Sequence, residues 1–296
     1  MNSFFSPYEI PNLENGPDGE YMPDRLAAEA VKRLKFHSKS DKPFFMCLWH
    51  YTVHWPIEAP DKLYKKYTHD EKPGDVHRYQ AMVEGMDIAV GKTLKALDDL
   101  GLADNTMVVF TSDNGHLSGY TSAEPLRASK GYLYEGGIRV PLIIRWPGKV
   151  KAATTNTTPV LTVDYAPTFM DAAGIPFEKS DFDGASLKDE ISGTNNLDRD
   201  AIYFHYPHYA FHQRNNMGSI IRQGNYKLIH IFTKNEYELY DLSKDISESK
   251  NIINEMPEKA AELKEKLAVW KKEVGAEDPR LMKDIPANEL RGKKPQ

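Results

Sequence analysis

Three short apolar runs, each with a polar cluster beside it, constrain this chain more than any other feature. Residues 43–49, 106–111 and 140–146 are almost continuous in apolar side chains, as strands buried on both faces tend to be. Segments of helical period lie between them. Over 24–37, Leu26, Ala27, Ala30, Val31 and Leu34 recur on one face, and Asp24 is placed to cap that helix. Residues 76–100 read as a long helix that Gly101 ends. Asp164 is expected to do no more than cap a short helix running to Ala172 and stopped by Gly174. Strands alternating with helices predict an α/β layered fold. The first twenty residues, with Pro7, Pro11, Gly16, Pro17 and Gly19, read as a long loop.

The pattern changes after about residue 195. Residues 201–206, 218–222, 226–232 and 237–242 are short strand-like segments parted by turn residues, and Gly224-Asn225 is a tight hairpin signal. Residues 257–274 form an amphipathic helix with Pro257 in its first turn. The chain therefore divides into 1–195, the α/β part, and 196–296, a small antiparallel sheet with a packed helix. The last twenty residues are polar and are expected to trail over the surface.

Composition narrows the partners. The 296 residues carry a formal net charge of −5, and no basic stripe stands out, which argues against nucleic acid. No apolar run reaches the roughly 18 residues of a membrane helix. The one cysteine, Cys47, excludes an internal disulfide framework. It lies in the apolar run 43–49, where a buried thiol acts as a small hydrophobe. Met1-Asn2-Ser3 has neither the basic nor the apolar region of a signal peptide.

Ligands collect beyond the carboxyl ends of strands in such sheets, and three polar clusters sit there. In Thr111-Ser112-Asp113-Asn114-Gly115-His116, a carboxylate beside an amide oxygen offers two hard ligands for Ca²⁺ or Mg²⁺. An ordinary Asp-Asn-Gly turn is the alternative. In His50-Tyr51-Thr52-Val53-His54-Trp55-Pro56, His54 could grip an anion or protonate a leaving oxygen, whereas His50 is expected only to bond the loop backbone. In the segment from Ser129-Lys130-Gly131 to Gly136-Gly137-Ile138-Arg139, the glycines permit close backbone approach. Lys130 supplies a point charge for an oxyanion, unless it is simply a solvated surface lysine.

Ser-Asp-Asn-Gly followed by Lys-Gly-x-x-Tyr-Glu-Gly-Gly-x-Arg-x-Pro, then Trp146-Pro147-Gly148, resembles the type I, formylglycine-dependent sulfatases. Asp164-Tyr165-Ala166-Pro167-Thr168, Asn225-Tyr226-Lys227-Leu228-Ile229 and Glu238-Leu239-Tyr240-Asp241-Leu242 fit the same pattern. The resemblance covers nearly the whole chain. It implies an alkaline-phosphatase-like mixed sheet flanked by helices, and a sulfuric ester hydrolase acting on a sulfated small molecule or glycan. It makes Asp113 and Asn114 metal ligands, usually for Ca²⁺, and Lys130 and His54 the catalytic side chains on the sulfate ester. Arg139 is taken as a structural buttress. His116, Arg127, His205, His208 and Arg222 are candidates for the substrate-binding rim without a firm family role.

The chain departs from that family in one respect. The family makes its formylglycine from Cys or Ser in Cys/Ser-x-Pro/Ala-x-Arg, beside an Asp-Asp pair that completes the metal site. Cys47 is followed by Leu48-Trp49-His50, and no serine fits the motif. We therefore expect an upstream half to be missing, and the isolated chain to be incomplete as a catalyst. With strands missing, the central sheet is expected to expose edges and apolar faces. A partner half or self-association would follow. A phosphoester or phosphonate hydrolase of the same superfold, a split-protein part and a non-catalytic remnant are the alternatives. The family is often exported or lysosomal, and any signal would lie upstream.

Overall fold

A computed structural model describes residues 3–68, 74–194, 197–208 and 216–280. Two compact units divide the chain, one of residues 1–110, 117–122 and 143–152, the other of 111–116, 123–142 and 153–296.

In the first unit, α1 (Met22–His37) begins ahead of Asp24, because Pro23 brings the φ angle that suits a first turn. Tyr21 holds the cap position, so the expected Asp24 cap is corrected. Asp24 lies inside the first turn, where its charge complements the helix dipole. Ala27, Ala30 and Leu34 form the buried stripe, and α1 packs on α3 (Asp75–Asp99), as does the short α2 (Asp61–Tyr64). Gly101, at φ +66°, ends α3 as expected. Its N–H bonds the Asp98 carbonyl, and the Leu102 N–H bonds that of Leu97. The opening segment is a loop, but not a loose one. Phe4 and Tyr8 are fully buried and build a core with Tyr21, Met22, Ile57, Tyr79 and Met82.

β1 (Val108–Thr111) and β2 (Leu142–Arg145) pair as a two-stranded sheet. Neither is buried on both faces, and Ile143 is 62% exposed. Residues 43–49 form no strand at all. Their side chains alternate: Phe44 and Met46 pack with Leu34, Ala96, Leu97 and Val108, while Cys47 and Trp49 are exposed. The expected doubly buried strand and the buried Cys47 thiol are thus both corrected. The reason is physical. Only one face packs on a core, and among the described residues the other meets none. No helix among the described residues is long and apolar enough to cross a membrane.

The second unit holds an antiparallel sheet in the order β3 (Ile202–Tyr206), β4 (Gly218–Gln223), β5 (Tyr226–Ile231), β6 (Glu236–Asp241). Gln223 pairs with Tyr226 across Gly224-Asn225, and Gly224 has φ +55°, so the hairpin stands where its sequence signal put it. Neighbouring residues of a strand point to opposite faces. Yet Ile220 and Ile221, Leu228 and Ile229, Leu239 and Tyr240 are all buried, because both faces are covered. Ile221, Leu228 and Leu239 meet Ala260, Leu263 and Leu267 of α7 (Pro257–Glu273). Ile220, Ile229 and Tyr240 meet Leu133 and Tyr134, which lead into the short α4 (Glu135–Ile138). The expected sheet with its packed helix is present, and the fold class is α/β. Past Arg280, the polar tail lies outside the described residues.

Asp164 takes the cap position of α5 (Tyr165–Ala172) without a capping bond into that helix. Its buried carboxylate instead accepts from the Leu161 and Ala185 N–H groups at 2.7 and 3.0 Å and from both Arg199 terminal nitrogens at 2.7 and 3.0 Å. The expectation that Asp164 only caps is therefore corrected. It is the centre of a bidentate ion pair, and α6 (Lys188–Ser192) follows close behind the Ala185 contact.

Candidate functional site

The turn leaving β1 puts Asp113 at the surface. The Ser112 hydroxyl bonds the Asn114 carbonyl at 3.1 Å, and the Asn114 amide nitrogen donates to the Gly115 carbonyl at 2.9 Å. The Asn114 amide oxygen has no donor among the described residues. Among the described residues, the Asp113 carboxylate has only a long 3.5 Å contact from the Ser112 hydroxyl. Both side chains therefore present free acceptor oxygens.

A second loop closes against this turn. The Lys130 N–H donates to the His116 carbonyl at 3.0 Å, and the Gly115 N–H donates to the Gly137 carbonyl at 3.0 Å. The fit leaves no room for side chains. A Cβ on Gly115 would stand 2.0 Å from the Gly136 carbonyl oxygen, and one on Gly137 2.2 Å from that of Tyr132, where real contacts lie beyond 3.0 Å. The loop also closes on itself, the Gly136 N–H donating to the Arg127 carbonyl at 2.8 Å. Backbone pairing between residues 113–116 and 127–137 thus ties the main chain of the Asp113–Asn114 turn to that of the Lys130 loop. The Lys130 ammonium, half-buried, has no ion pair or hydrogen bond among the described residues.

The other named residues fall into distinct settings. His54 belongs to the first unit and is exposed, its ring near Tyr51 and its Nδ1 3.3 Å from the Trp55 carbonyl. Neither ring nitrogen of His50 has a partner among the described residues, and burial holds its pKa below the usual histidine value. The expected bond from His50 to its loop is not formed. His116 lies two residues beyond Asn114, and its buried Nδ1 has no partner among the described residues. Arg127 reaches the Tyr240 hydroxyl at 3.1 Å and the Glu248 carbonyl at 2.8 Å, and it lies 3.8 Å over the Tyr134 ring. Its guanidinium is committed to the C-terminal sheet. Arg222 is mostly buried and stands 3.9 Å from Glu135. His205 bonds Ser219 Oγ at 2.7 Å and the Glu277 carbonyl at 3.0 Å, whereas His208 is exposed with its ring against Tyr206. Arg139 ion-pairs with Glu135 at 3.7 Å, in keeping with a buttress. Sequence reasoning assigns no role to Lys227 and Glu248, both without exposed side chain, which meet Glu135 beneath the Lys130 loop. A lysine between the apolar residues of a strand, Tyr226 and Leu228, is the one signal that points there.

Asp113 and Asn114 fit a hard divalent cation in kind, since both offer side-chain oxygens. They fall short in number, since Ca²⁺ takes six to eight oxygens. Among the described residues, no group of three or more His, Cys, Asp or Glu could hold a metal ion.

These features have counterparts in known proteins. A family model described as "Sulfatase" matches residues 2–175, and one described as "N-sulphoglucosamine sulphohydrolase, C-terminal" matches 128–273. A "Sulfatase" of Formosa agariphila is 35% identical over 285 residues, covering 87% of this chain and 51% of the relative. An "N-acetylglucosamine-6-O-sulfatase" of Bacteroides thetaiotaomicron is 38% identical, covering 68% of this chain and 36% of the relative. Human "Arylsulfatase A" is 30% identical, covering 77% and 48%. A solved structure of Ps i-CgsB in complex with k-i-k-neocarrahexaose aligns with a TM-score of 0.78 at 29% identity, over 88% of this chain and 56% of that one. The chain spans about half or less of the length of these curated relatives. The alkaline-phosphatase-like α/β class is shared with the solved neighbours. With the match over residues 2–175 and the paired loops that carry Asp113, Asn114 and Lys130, this chain belongs to the sulfatase family.

Proposed function

We propose that this chain carries part of the active site of a sulfuric ester hydrolase that removes sulfate from a sugar. What supports this reading is the backbone pairing of residues 113–116 with 127–137, which ties the turn that carries Asp113 and Asn114 to the loop that carries Lys130. Lys130 would hold a sulfate oxygen and offset the charge that builds up as the ester bond breaks. His54 would give a proton to the leaving oxygen. A divalent cation, Ca²⁺ or Mg²⁺, would be held by Asp113 and Asn114 together with ligands from outside this chain, and when bound it would polarise the sulfate. His116, beside the metal pair, and the exposed His208 are suited to the substrate rim. The settings of Arg127, Arg222 and His205 favour roles in packing.

A sugar substrate is supported by the relatives. One is an N-acetylglucosamine-6-O-sulfatase. A solved neighbour with a TM-score of 0.60 and 33% identity is a complex with its substrate D-glucosamine-2-N,6-O-disulfate.

The sequence holds no Cys/Ser-x-Pro/Ala-x-Arg, so the chain by itself lacks the attacking group. Purified alone, it should turn over no aryl sulfate or 6-O-sulfated glucosamine. Turnover above a Lys130→Ala control would overturn that. Joined to a segment supplying the motif and the missing metal ligands, it should hydrolyse 6-O-sulfated glucosamine. Lys130→Ala or Asp113→Ala should then lower kcat by about 10²–10³. Turnover unchanged in both variants would refute the roles of Lys130 and Asp113.

A further inference from the structure

Beneath the Lys130 loop lies a cluster of charges with almost no solvent contact. Lys227 projects from β5 with none of its side chain exposed. Its ammonium stands 2.9 Å from Glu135 Oε1 and 2.7 Å from Glu248 Oε1. Glu248 Oε2 accepts the backbone N–H of Glu135 at 2.6 Å, while the Glu248 carbonyl accepts from Arg127 Nη1 at 2.8 Å. One residue thus clasps both ends of the loop, at 127 and at 135, with Lys130 between them. Glu248 does so from a left-handed backbone, φ +50°, a conformation that non-glycine residues adopt only where the surroundings require it.

Stability alone does not account for such a cluster. A buried ion pair seldom stabilises more than apolar residues of the same volume would. What it adds is direction. Leu133 and Tyr134 pack on Ile220, Ile229 and Tyr240 through apolar contact, which tolerates sliding. The ion pairs accept a single placement. From Glu135 that placement passes through Gly136 and Gly137 to Gly115, and so to Asn114 and Asp113, entirely by way of the main chain and its hydrogen bonds.

We propose that Lys227, Glu135 and Glu248 are positioning residues, an ionic lock on the C-terminal sheet that fixes Lys130 and the Asp113–Asn114 turn relative to each other. The lock's meaning for catalysis rests on the proposed sulfatase activity. Its geometry does not. Such support from outside the reacting groups matters because an error of about 1 Å in a catalytic group can lower rate a hundredfold.

The test uses the whole chain, ¹⁵N-labelled, with amide hydrogen exchange read at Gly115 and Lys130, at Ile220 and Leu228 of the sheet, and at Met82 in the first unit. Lys227→Met should speed exchange at Gly115 and Lys130 at least tenfold more than at the other three. Lys227→Arg, which keeps the charge, should recover most of that protection. Inorganic sulfate should shift the Lys130 amide in the unaltered chain, and Lys227→Met should weaken that response at least tenfold. Glu248→Gln keeps the shape and an acceptor for the Glu135 N–H. It should show the same selective effect should Lys227→Met fail to fold. Equal acceleration at all five amides, or none at Gly115 and Lys130, would overturn the lock. So would failure of both Lys227→Met and Glu248→Gln to fold, since the cluster would then serve global stability. Selective opening without any sulfate response in the unaltered chain would leave the lock standing and count against the sulfatase activity.

Discussion

Residues 43–49 and the strands β4 to β6 are written in much the same apolar vocabulary, and they end differently. In the C-terminal sheet both faces find cover, α7 on one side and the Lys130 loop on the other. Successive residues such as Leu228 and Ile229 are both buried completely. In 43–49 one face packs on a core with Leu34 and Leu97, and the other shows Trp49, 84% exposed, to solvent. An apolar run therefore states a demand for cover. Whether the demand is met depends on what stands beside it.

The largest effect expected from this contrast is in the covered sheet. Leu228→Ala should cost about 2–5 kcal/mol, the usual range for emptying a packed site, read as a lower urea midpoint at unchanged slope. A cost under about 0.5 kcal/mol would mean that the sheet is not a well-filled core.

A pH effect comes next, at His50, which ends the uncovered segment. Burial lowers its pKa, so the folded chain favours the neutral ring. The unfolded histidine, with a pKa near 6.5, takes up a proton first as pH falls. His50 thus contributes stability above about pH 6.5 that is lost as pH drops from there through the lower folded value. Melting temperatures measured from neutral to mildly acidic buffer should show this slope, and His50→Gln should flatten it. An unaltered slope would place the titrating group elsewhere.

Trp49→Ser should change stability by no more than about 0.5 kcal/mol, as at other exposed sites, while reducing any self-association seen by sedimentation. Cys47 reads the same face without perturbing folding. It should react fully with a thiol reagent in native buffer, and protection from the reagent would show that the face is covered.

Part of the candidate site is legible in the sequence because its signals are local. Asp113–Asn114 and Lys130 sit in short segments whose glycines announce close backbone approach, and the structure pairs those segments. The Gly101 stop and the Gly224-Asn225 turn are readable for the same reason, since a few adjacent residues decide them. The features that mislead depend on distant neighbours or on competition between adjacent residues. Asp24 loses the cap because Pro23 can start the helix earlier. Asp164 reads as a cap because its true partner, Arg199, lies 35 positions away. The Glu135–Glu248 contact spans 113 positions, and nothing near either glutamate foretells it. Cys47 reads as buried because apolar neighbours in sequence do not reveal which face has company in space.

The crowding at Gly115, Gly136 and Gly137 bears on how chains of this family can be recombined. The two loops meet main chain to main chain, as a key meets its ward, so neither can be exchanged as a cassette by itself. A chimera with a breakpoint between residues 116 and 127 would join halves cut to different templates. Parents should instead be spliced so that 111–142 travels as one block with β5 and Glu248. Variation for new specificity then belongs at side chains that point away from the seam, with the three glycines held constant.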